Sequence, residues 1–294
     1  EFTRLINTTF IYHKLIDKVS RDSEFLIKCI DSAAKADPLF TGKLLELYKN
    51  QIKTNNINQK IYFGIFRNDF MKNEKTNKWG QIEFNTIAAS FGGLSDKVNA
   101  LHKYILQRYL GINVEYYQMQ RSGTTIDNMD SKDNSESKIE LTKPYYKPSP
   151  NVINELADAM CFAAKLVDSK KPCIVMIVQP NEKNSSDQRI LEFAIYKRGK
   201  VPLIRMTLNE IFLYAKLDDS SKNIYVNCDK TGNIDIRISL FYFRAGYTPN
   251  DYITNNGNNE WKARELIEFS NAIKCPNIAY HLIGSKLMQT YFAD

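Results

Sequence analysis

Cys173-Ile174-Val175-Met176-Ile177-Val178 is an unbroken apolar run, too short to cross a membrane and too uniform for a strand with one wet face. Runs of this kind belong to strands buried on both sides, the arrangement of a parallel sheet covered by helices. Its surroundings agree with that reading. Residues 152–167 before it have helical spacing, and residues 187–198 after it form a second helical stretch of the kind that crosses over between parallel strands. Residues 201–206 read as the next strand, and Thr207-Leu208-Asn209-Glu210 has the spacing of a capping box leading into Ile211-Phe212-Leu213. Residues 224–228 and 234–243 flank Asp229-Lys230-Thr231-Gly232-Asn233 as the arms of a hairpin would. Residues 260–273 are expected to be helical, stopped by Cys275-Pro276. The alternation predicts an α/β unit with a doubly wound parallel sheet, whose ligands sit at the carboxyl ends of its strands.

Upstream, the pattern changes. Leu5, Ile6, Phe10, Ile11, Leu15, Ile16 and Val19 recur at helical spacing and predict one buried stripe. A second helix is expected through Phe25, Leu26 and Ile30, and a third opened by Asp37-Pro38 with Leu44, Leu45 and Leu47 behind it. Residues 60–66 and 79–85 read as two strands separated by a turn rich in Asn and Lys. Ser95-Asp96 is expected to cap a helix with Val98, Leu101, Ile105, Leu106 and Leu110 on its inner face. Residues 118–150, crowded with Ser, Asp, Asn and Lys, read as a mobile insertion and linker.

With 294 residues, 43% of them hydrophobic, the chain can fill one large core or two modest ones. Forty basic against 33 acidic residues leave a net +7, spread along the chain, which argues against a dedicated nucleic-acid binder. Five cysteines without a CxxC pair signal neither a disulfide scaffold nor zinc, and they fit a reducing compartment such as the cytoplasm. No apolar run approaches the roughly 20 residues that a membrane helix needs. The first residue is Glu1 and the helical pattern begins by Leu5, so the sequence is expected to start partway into a longer protein. His13, His102 and His281 lack partners at metal-ligand spacing and read as core or surface residues.

Polar residues placed just after strands carry the chemistry, because a sheet holds them still at its edge. Arg67, closing the strand 60–66, has a planar fork suited to a carboxylate or phosphate, or is a solvated loop residue. Glu83 and Asn85, two apart in a strand, aim their oxygens the same way and form a partial shell for Mg²⁺ held with phosphates, or the polar face of an ordinary strand. Ser90 and Gly92-Gly93 precede a helix, where free N–H groups favour an anion. Glu182, Asn184 and Gln188 could clasp the amino and carboxyl groups of an amino-acid-like ligand, with Asp187 capping the helix, or belong to a plain capped loop. In Tyr242-Phe243-Arg244-Ala245-Gly246-Tyr247 an Arg again ends an aromatic strand, and the glycine allows a tight turn that presents Tyr247.

In their order, residues 81–94 (Gln-Ile-Glu-Phe-Asn-Thr-Ile-Ala-Ala-Ser-Phe-Gly-Gly-Leu), Asp187-Gln188-Arg189, residues 242–247 and Trp261-Lys262-Ala263-Arg264 through Gly284-Ser285-Lys286 resemble eukaryotic glutathione synthetases. These are ATP-grasp ligases. The resemblance implies that ATP phosphorylates the cysteinyl carboxylate of γ-glutamylcysteine and that glycine attacks the acyl phosphate. Carried over, Glu83 and Asn85 are Mg²⁺ ligands, Glu83 and Lys286 serve the ATP phosphates, and Arg67 and Ser90 stabilise the reacting carboxyl end. Glu182, Asn184, Gln188, Arg244 and Tyr247 hold γ-glutamylcysteine. A homodimer is implied as well. The sequence departs from the family at Ala88, where Ser is common, and at Ala245, where Asp is usual.

The resemblance divides the chain into 1–117, the helical and mixed-strand N-terminal part of an ATP-grasp enzyme, the insertion 118–150, an α/β substrate-binding domain 151–285, and 286–294, a return towards the ATP-grasp part. The family continues beyond the Lys286 region with a Gly-rich loop, a further Glu and another Arg, so this chain is expected to be one portion of such an enzyme. A non-catalytic γ-glutamyl-peptide binder and a ligase using another amine, such as β-alanine, remain open.

Overall fold

The computed structural model describes residues 2–111, 152–227, 235–253 and 257–293. The expected insertion at 118–150 and the turn at 229–233 lie outside them. The chain begins with helices α1 (Phe2–Ser20), α2 (Ser23–Ala36) and α3 (Lys43–Lys53), the last entered through a π-helical turn at Pro38–Gly42 that Asp37 caps. Strands β1 (Arg67–Lys72) and β2 (Trp79–Asn85) follow as an antiparallel pair, then helix α4 (Gly92–Leu110). Next come α5 (Val152–Val167), β3 (Ile174–Ile177), α6 (Ser185–Gly199), β4 (Leu203–Met206) and α7 (Leu208–Tyr214). Strands β5 (Ala215–Leu217), β6 (Ile224–Asn227) and β7 (Asp235–Arg237) make a small antiparallel sheet. The chain then runs through β8 (Leu240–Phe243), α8 (Asn259–Phe269), β9 (Ile273–Cys275), α9 (Ile278–Ile283) and α10 (Lys286–Ala293).

The main sheet has four parallel strands in the order β4-β3-β8-β9. The chain leaves β3 through α6 to β4 on one side, while β8 lies on the other, so the winding reverses between β3 and β8. Crevices open at such reversals, beyond the carboxyl ends of the strands.

Alternation along β3 sends Val175 and Ile177 into one core and Ile174 and Met176 into another, all four with no solvent exposure. The first core is closed by α7, α8 and β6 through Leu208, Ile211, Ala263, Ile267, Ile224 and Val226. The second is closed by α5 and α6 through Ala157, Met160, Ala164, Leu191 and Ile195. At about 1.5–3 kcal/mol for each large side chain so buried, β3 is the anchor of the sheet. A third core joins the two ends of the chain: Ile16, Leu26, Ile30, Leu44, Leu45 and Phe84 meet Ile278, Leu282, Ile283 and Met288.

Several expectations are corrected. Of the predicted α1 stripe only Ile16 is fully buried, and Ile6, Phe10 and Ile11 are exposed, because α1 meets its neighbours α2 and α9 through its C-terminal half. Residues 60–66 form no ladder. The strand begins at Arg67, which opens β1 instead of closing a strand, while Tyr62 and Phe66 lay their rings against Tyr280. That stretch is tied down by side chains, with Asn58 Nδ2 donating to Phe269 O at 2.6 Å and Gln59 Nε2 to Asn271 O at 2.6 Å. Helix α4 starts at Gly92, so Ser95 lies inside it and its hydroxyl donates to the Gly92 carbonyl. Val98, Leu101 and Ile105, expected inside, are exposed. The run 234–243 splits into β7 and β8 in different sheets, and Ile273–Cys275, expected to end a helix, is the edge strand β9. Among the described residues, no helix is long and apolar enough to cross a membrane.

Candidate functional site

The loop after β3 carries Gln179, Glu182 and Asn184, and the loop after β8 carries Arg244, Gly246 and Tyr247, so the expected ligand residues stand on either side of the winding reversal. Glu182 Oε1 accepts from the Asn184 backbone N–H at 2.7 Å, and its Oε2 accepts from Gln188 Nε2 at 2.6 Å. Gln188 Oε1 in turn accepts from Arg205 on β4, at 3.1 Å from Nε and 2.6 Å from Nη2. Asp251 holds the opposite loop. Its Oδ2 accepts from the backbone N–H groups of Gly246, Tyr247 and Thr248 at 3.0–3.1 Å, and its Oδ1 from Gln179 Nε2 at 2.9 Å. Gly246 needs to be glycine there, with φ +88° and the Tyr252 hydroxyl 3.0 Å from where a Cβ would stand. Tyr247 is left 42% exposed at the rim. Burial raises its phenol pKa, and the charges of Asp251 and Glu182 push the same way.

Between these loops lies a buried ion pair. Arg244 Nη1 donates to Asp187 Oδ2 at 3.1 Å, with the two side chains 4% and 3% exposed. Asp187 also accepts from the backbone N–H groups of Phe91, Gly93 and Leu94 at 3.0–3.2 Å. The expectation that Asp187 caps its own helix is thereby corrected: Asn184 occupies the N-cap of α6 without a side-chain bond, and Asp187 caps α4 across the fold. The anion expected at the start of α4 is this carboxylate. The Tyr242 hydroxyl donates to Ala89 O at 3.0 Å, so the chain is pinned on both sides of Ser90, to β8 through Tyr242 and to α6 through Asp187, and Ser90 itself stays half-buried.

Five residues before Ser90, β2 ends in a second polar cluster. Arg67 on β1 forks onto Asp69 at 2.9 Å and reaches Glu83 Oε1 at 3.3 Å. Asn85 Nδ2 donates to Glu83 Oε1 at 2.9 Å and to Asp69 Oδ2 at 3.3 Å, and Lys286 at the start of α10 bonds the other Glu83 oxygen. Two cations thus face two carboxylates. The Glu83 carboxyl is lowered to about 2, first by Lys286 and then by Asn85. Lys286 arrives there because Gly284 passes close to the end of β2: a Cβ on it would stand 2.2 Å from Thr86 Oγ1. Gly284→Ala is therefore expected to cost about 1–3 kcal/mol by overpacking and to move Lys286 off Glu83. A denaturant midpoint equal to that of the parent would contradict this.

Among the described residues, no three or more His, Cys, Asp or Glu side chains gather as a metal centre. The donors at hand are the Asp69 and Glu83 carboxylates and the Asn85 carboxamide. Mg²⁺ takes one or two protein carboxylates and completes its shell with water and phosphate oxygens, so this set fits it, provided that Lys286 leaves Glu83.

All ten expected site residues lie in or beside these clusters. Glu83, Asn85, Arg67 and Lys286 meet directly, as do Glu182, Asn184 and Gln188, while Arg244 joins the Ser90 loop through Asp187. Asp69, Arg205 and Asp251 were missed. Asp69 was within reach of sequence reasoning, because it stands two residues from Arg67 on one strand, whereas the other two are recognisable only once strands far apart in sequence are paired.

Residues 172–283 match the family model of eukaryotic glutathione synthase. The chain is 36% identical to the chloroplastic glutathione synthetase of Solanum lycopersicum over 96% of its own length and 44% of the relative's. It is 36% identical to the glutathione synthetase of Dictyostelium discoideum, over 96% and 53%, and 30% identical to that of Homo sapiens, over 95% and 50%. It spans about half the length of these curated relatives. A solved structure of a glutathione synthetase-like effector from Globodera pallida superposes with a TM-score of 0.56 over 96% of this chain and 56% of the other, at 17% identity, a likeness of fold.

Proposed function

We propose that this relative of the eukaryotic glutathione synthases holds γ-glutamylcysteine and part of the Mg-ATP site of a ligase that joins γ-glutamylcysteine to glycine through an acyl phosphate. The observation that carries the reading is the meeting of Arg67, Glu83, Asn85 and Lys286, drawn from two ends of the chain, at the end of the strand that leads into the Ser90 loop. A phosphoryl transfer needs cations facing the charge that develops and little else from the protein. Lys286 and Arg67 supply such cations; Glu83, Asn85 and Asp69 supply the oxygens for Mg²⁺, which when bound neutralises phosphate charge.

At the sheet, the Glu182 carboxylate accepts only from neutral donors in the described contacts and offers its charge to a ligand ammonium. Tyr247 adds a further polar group at the rim, Gln188 holds Glu182 in place, and Arg244, through Asp187, fixes the Ser90 loop where the reacting carboxyl would lie. The same reading places the protein in the ATP-grasp group, as a homodimer in the cytoplasm.

The test is phosphate release from Mg-ATP with γ-glutamylcysteine and glycine added singly and together. Release that needs both supports the ligase, and release with β-alanine in place of glycine reassigns the amine. Calorimetric binding of γ-glutamylcysteine without release leaves a substrate-binding portion; neither release nor binding overturns the reading.

A further inference from the structure

We infer that Arg205 is a positioning residue for the ligand site: it fixes the polarity of the Gln188 amide, and through it the aim of the Glu182 carboxylate. The inference rests on the proposed substrate reading. A carboxamide is nearly symmetric in shape, and only its partners decide which end faces which neighbour. Gln188 is fully buried, so it cannot turn freely to water. On one side stands a guanidinium, which only donates, giving two N–H groups to Oε1 at 3.1 and 2.6 Å. On the other stands the Glu182 carboxylate, which only accepts, at 2.6 Å from Nε2. Both neighbours demand the same orientation.

Among the described residues, Arg205 has no carboxylate within ion-pair distance, so both of its recorded bonds go to a neutral oxygen. A positive charge and a negative charge are thus held apart by one amide. With its –NH₂ turned to Glu182, Gln188 holds that carboxylate aimed, ready for an ammonium. If Gln188 turned over, its oxygen would face the carboxylate, the pair would repel, and the Glu182 side chain would leave the site. Neither Arg205 nor the amide needs to touch the reacting atoms. This is a relay from the edge strand β4 to the loop after the central strand β3.

The experiment is a double-mutant cycle in γ-glutamylcysteine affinity, read by titration calorimetry on the 294-residue chain. Arg205→Met is expected to weaken binding about tenfold, the scale of one lost charge-assisted bond with its partner left buried. Arg205→Lys, still a pure donor, is expected to retain most of the affinity, and Arg205→Gln, which both donates and accepts, to lose about as much as Arg205→Met. On a Gln188→Ala background, Arg205→Met should change affinity by less than about twofold. An undiminished loss on that background, or wild-type affinity in Arg205→Met and Arg205→Gln, would overturn the assignment while leaving the substrate reading intact.

No binding by the wild-type chain would instead overturn the substrate reading. The relay is then judged without ligand, from the ¹⁵N side-chain resonances of Gln188, identified by their loss in Gln188→Ala. They should shift in Arg205→Gln, and unchanged resonances reject the relay. Since Arg205→Gln keeps a polar side chain at this position, it also serves should Arg205→Met fail to fold.

Discussion

Arg244→Ala is expected to destabilise the fold by about 3 kcal/mol and to remove γ-glutamylcysteine binding. Breaking a buried pair from one side strands the other charge, at a cost of about 3–5 kcal/mol. The lower end applies here because Asp187 keeps three backbone N–H donors from the start of α4. Two measurements separate the effects. A urea midpoint reports the stranded carboxylate, and titration with γ-glutamylcysteine reports the ligand. Arg244→Ala combined with Asp187→Asn should recover part of the stability and none of the binding. A single variant that melts like the parent and binds like it would remove Arg244 from both roles.

Glu83→Gln is expected to split activity from stability in the opposite sense. In protein that shows substrate-dependent phosphate release, the rate should fall by at least about a hundredfold, the usual effect of removing one preorganised charge from a phosphoryl-transfer site. At neutral pH the loss of stability should be small but measurable, below about 1 kcal/mol, since Lys286 is 72% exposed and the pair is screened by solvent. The pH dependence has a definite sign. The folded carboxyl sits at about 2 against 4.5 for the free group, so its contribution is complete above pH 4.5 and is lost as pH falls from there towards 2. The difference between wild type and Glu83→Gln in denaturant midpoint should therefore be constant from neutrality to about pH 5, shrink as pH falls towards 2 and vanish below that. A difference that grows on acidification would contradict the geometry around Glu83.

What could be read from the sequence was whatever one element dictates by itself. The uniform run at 173–178, the helix at 152–167 and the Thr207–Glu210 capping box all stand as expected, because burial on both faces, 3.6-residue spacing and cap chemistry are local. Errors came where tertiary contacts override local pattern. Residues 60–66 have strand-like composition, but among the described residues no strand pairs with them, and their rings serve as packing instead. Asp187 stands in the first turn of α6 and looks like a cap for it, yet its carboxylate is claimed by α4 and Arg244. At the site, residue types and their places after strands were legible. The partnerships were not, because the bond between Glu83 and Lys286 spans 203 positions and depends on a glycine passing Thr86.

The order of the sheet strands has a kinetic consequence. The neighbours β3 and β4 are joined by one helix, so their pairing closes a short loop and can form as soon as α6 does. The central pair β3 and β8 brings together Cys173 and Ser239, 66 residues apart, with the whole β5–β7 excursion between them. Closing that distance costs more chain entropy, and pairings of this kind come late in folding. During synthesis β3, apolar on both faces, therefore waits with one edge open until β8 leaves the ribosome, and this is the interval in which the nascent chain is most exposed to misassociation. Truncation of residues β3 touches in β4, such as Ile204→Ala, should slow folding, whereas Phe241→Ala should act mainly on the unfolding rate.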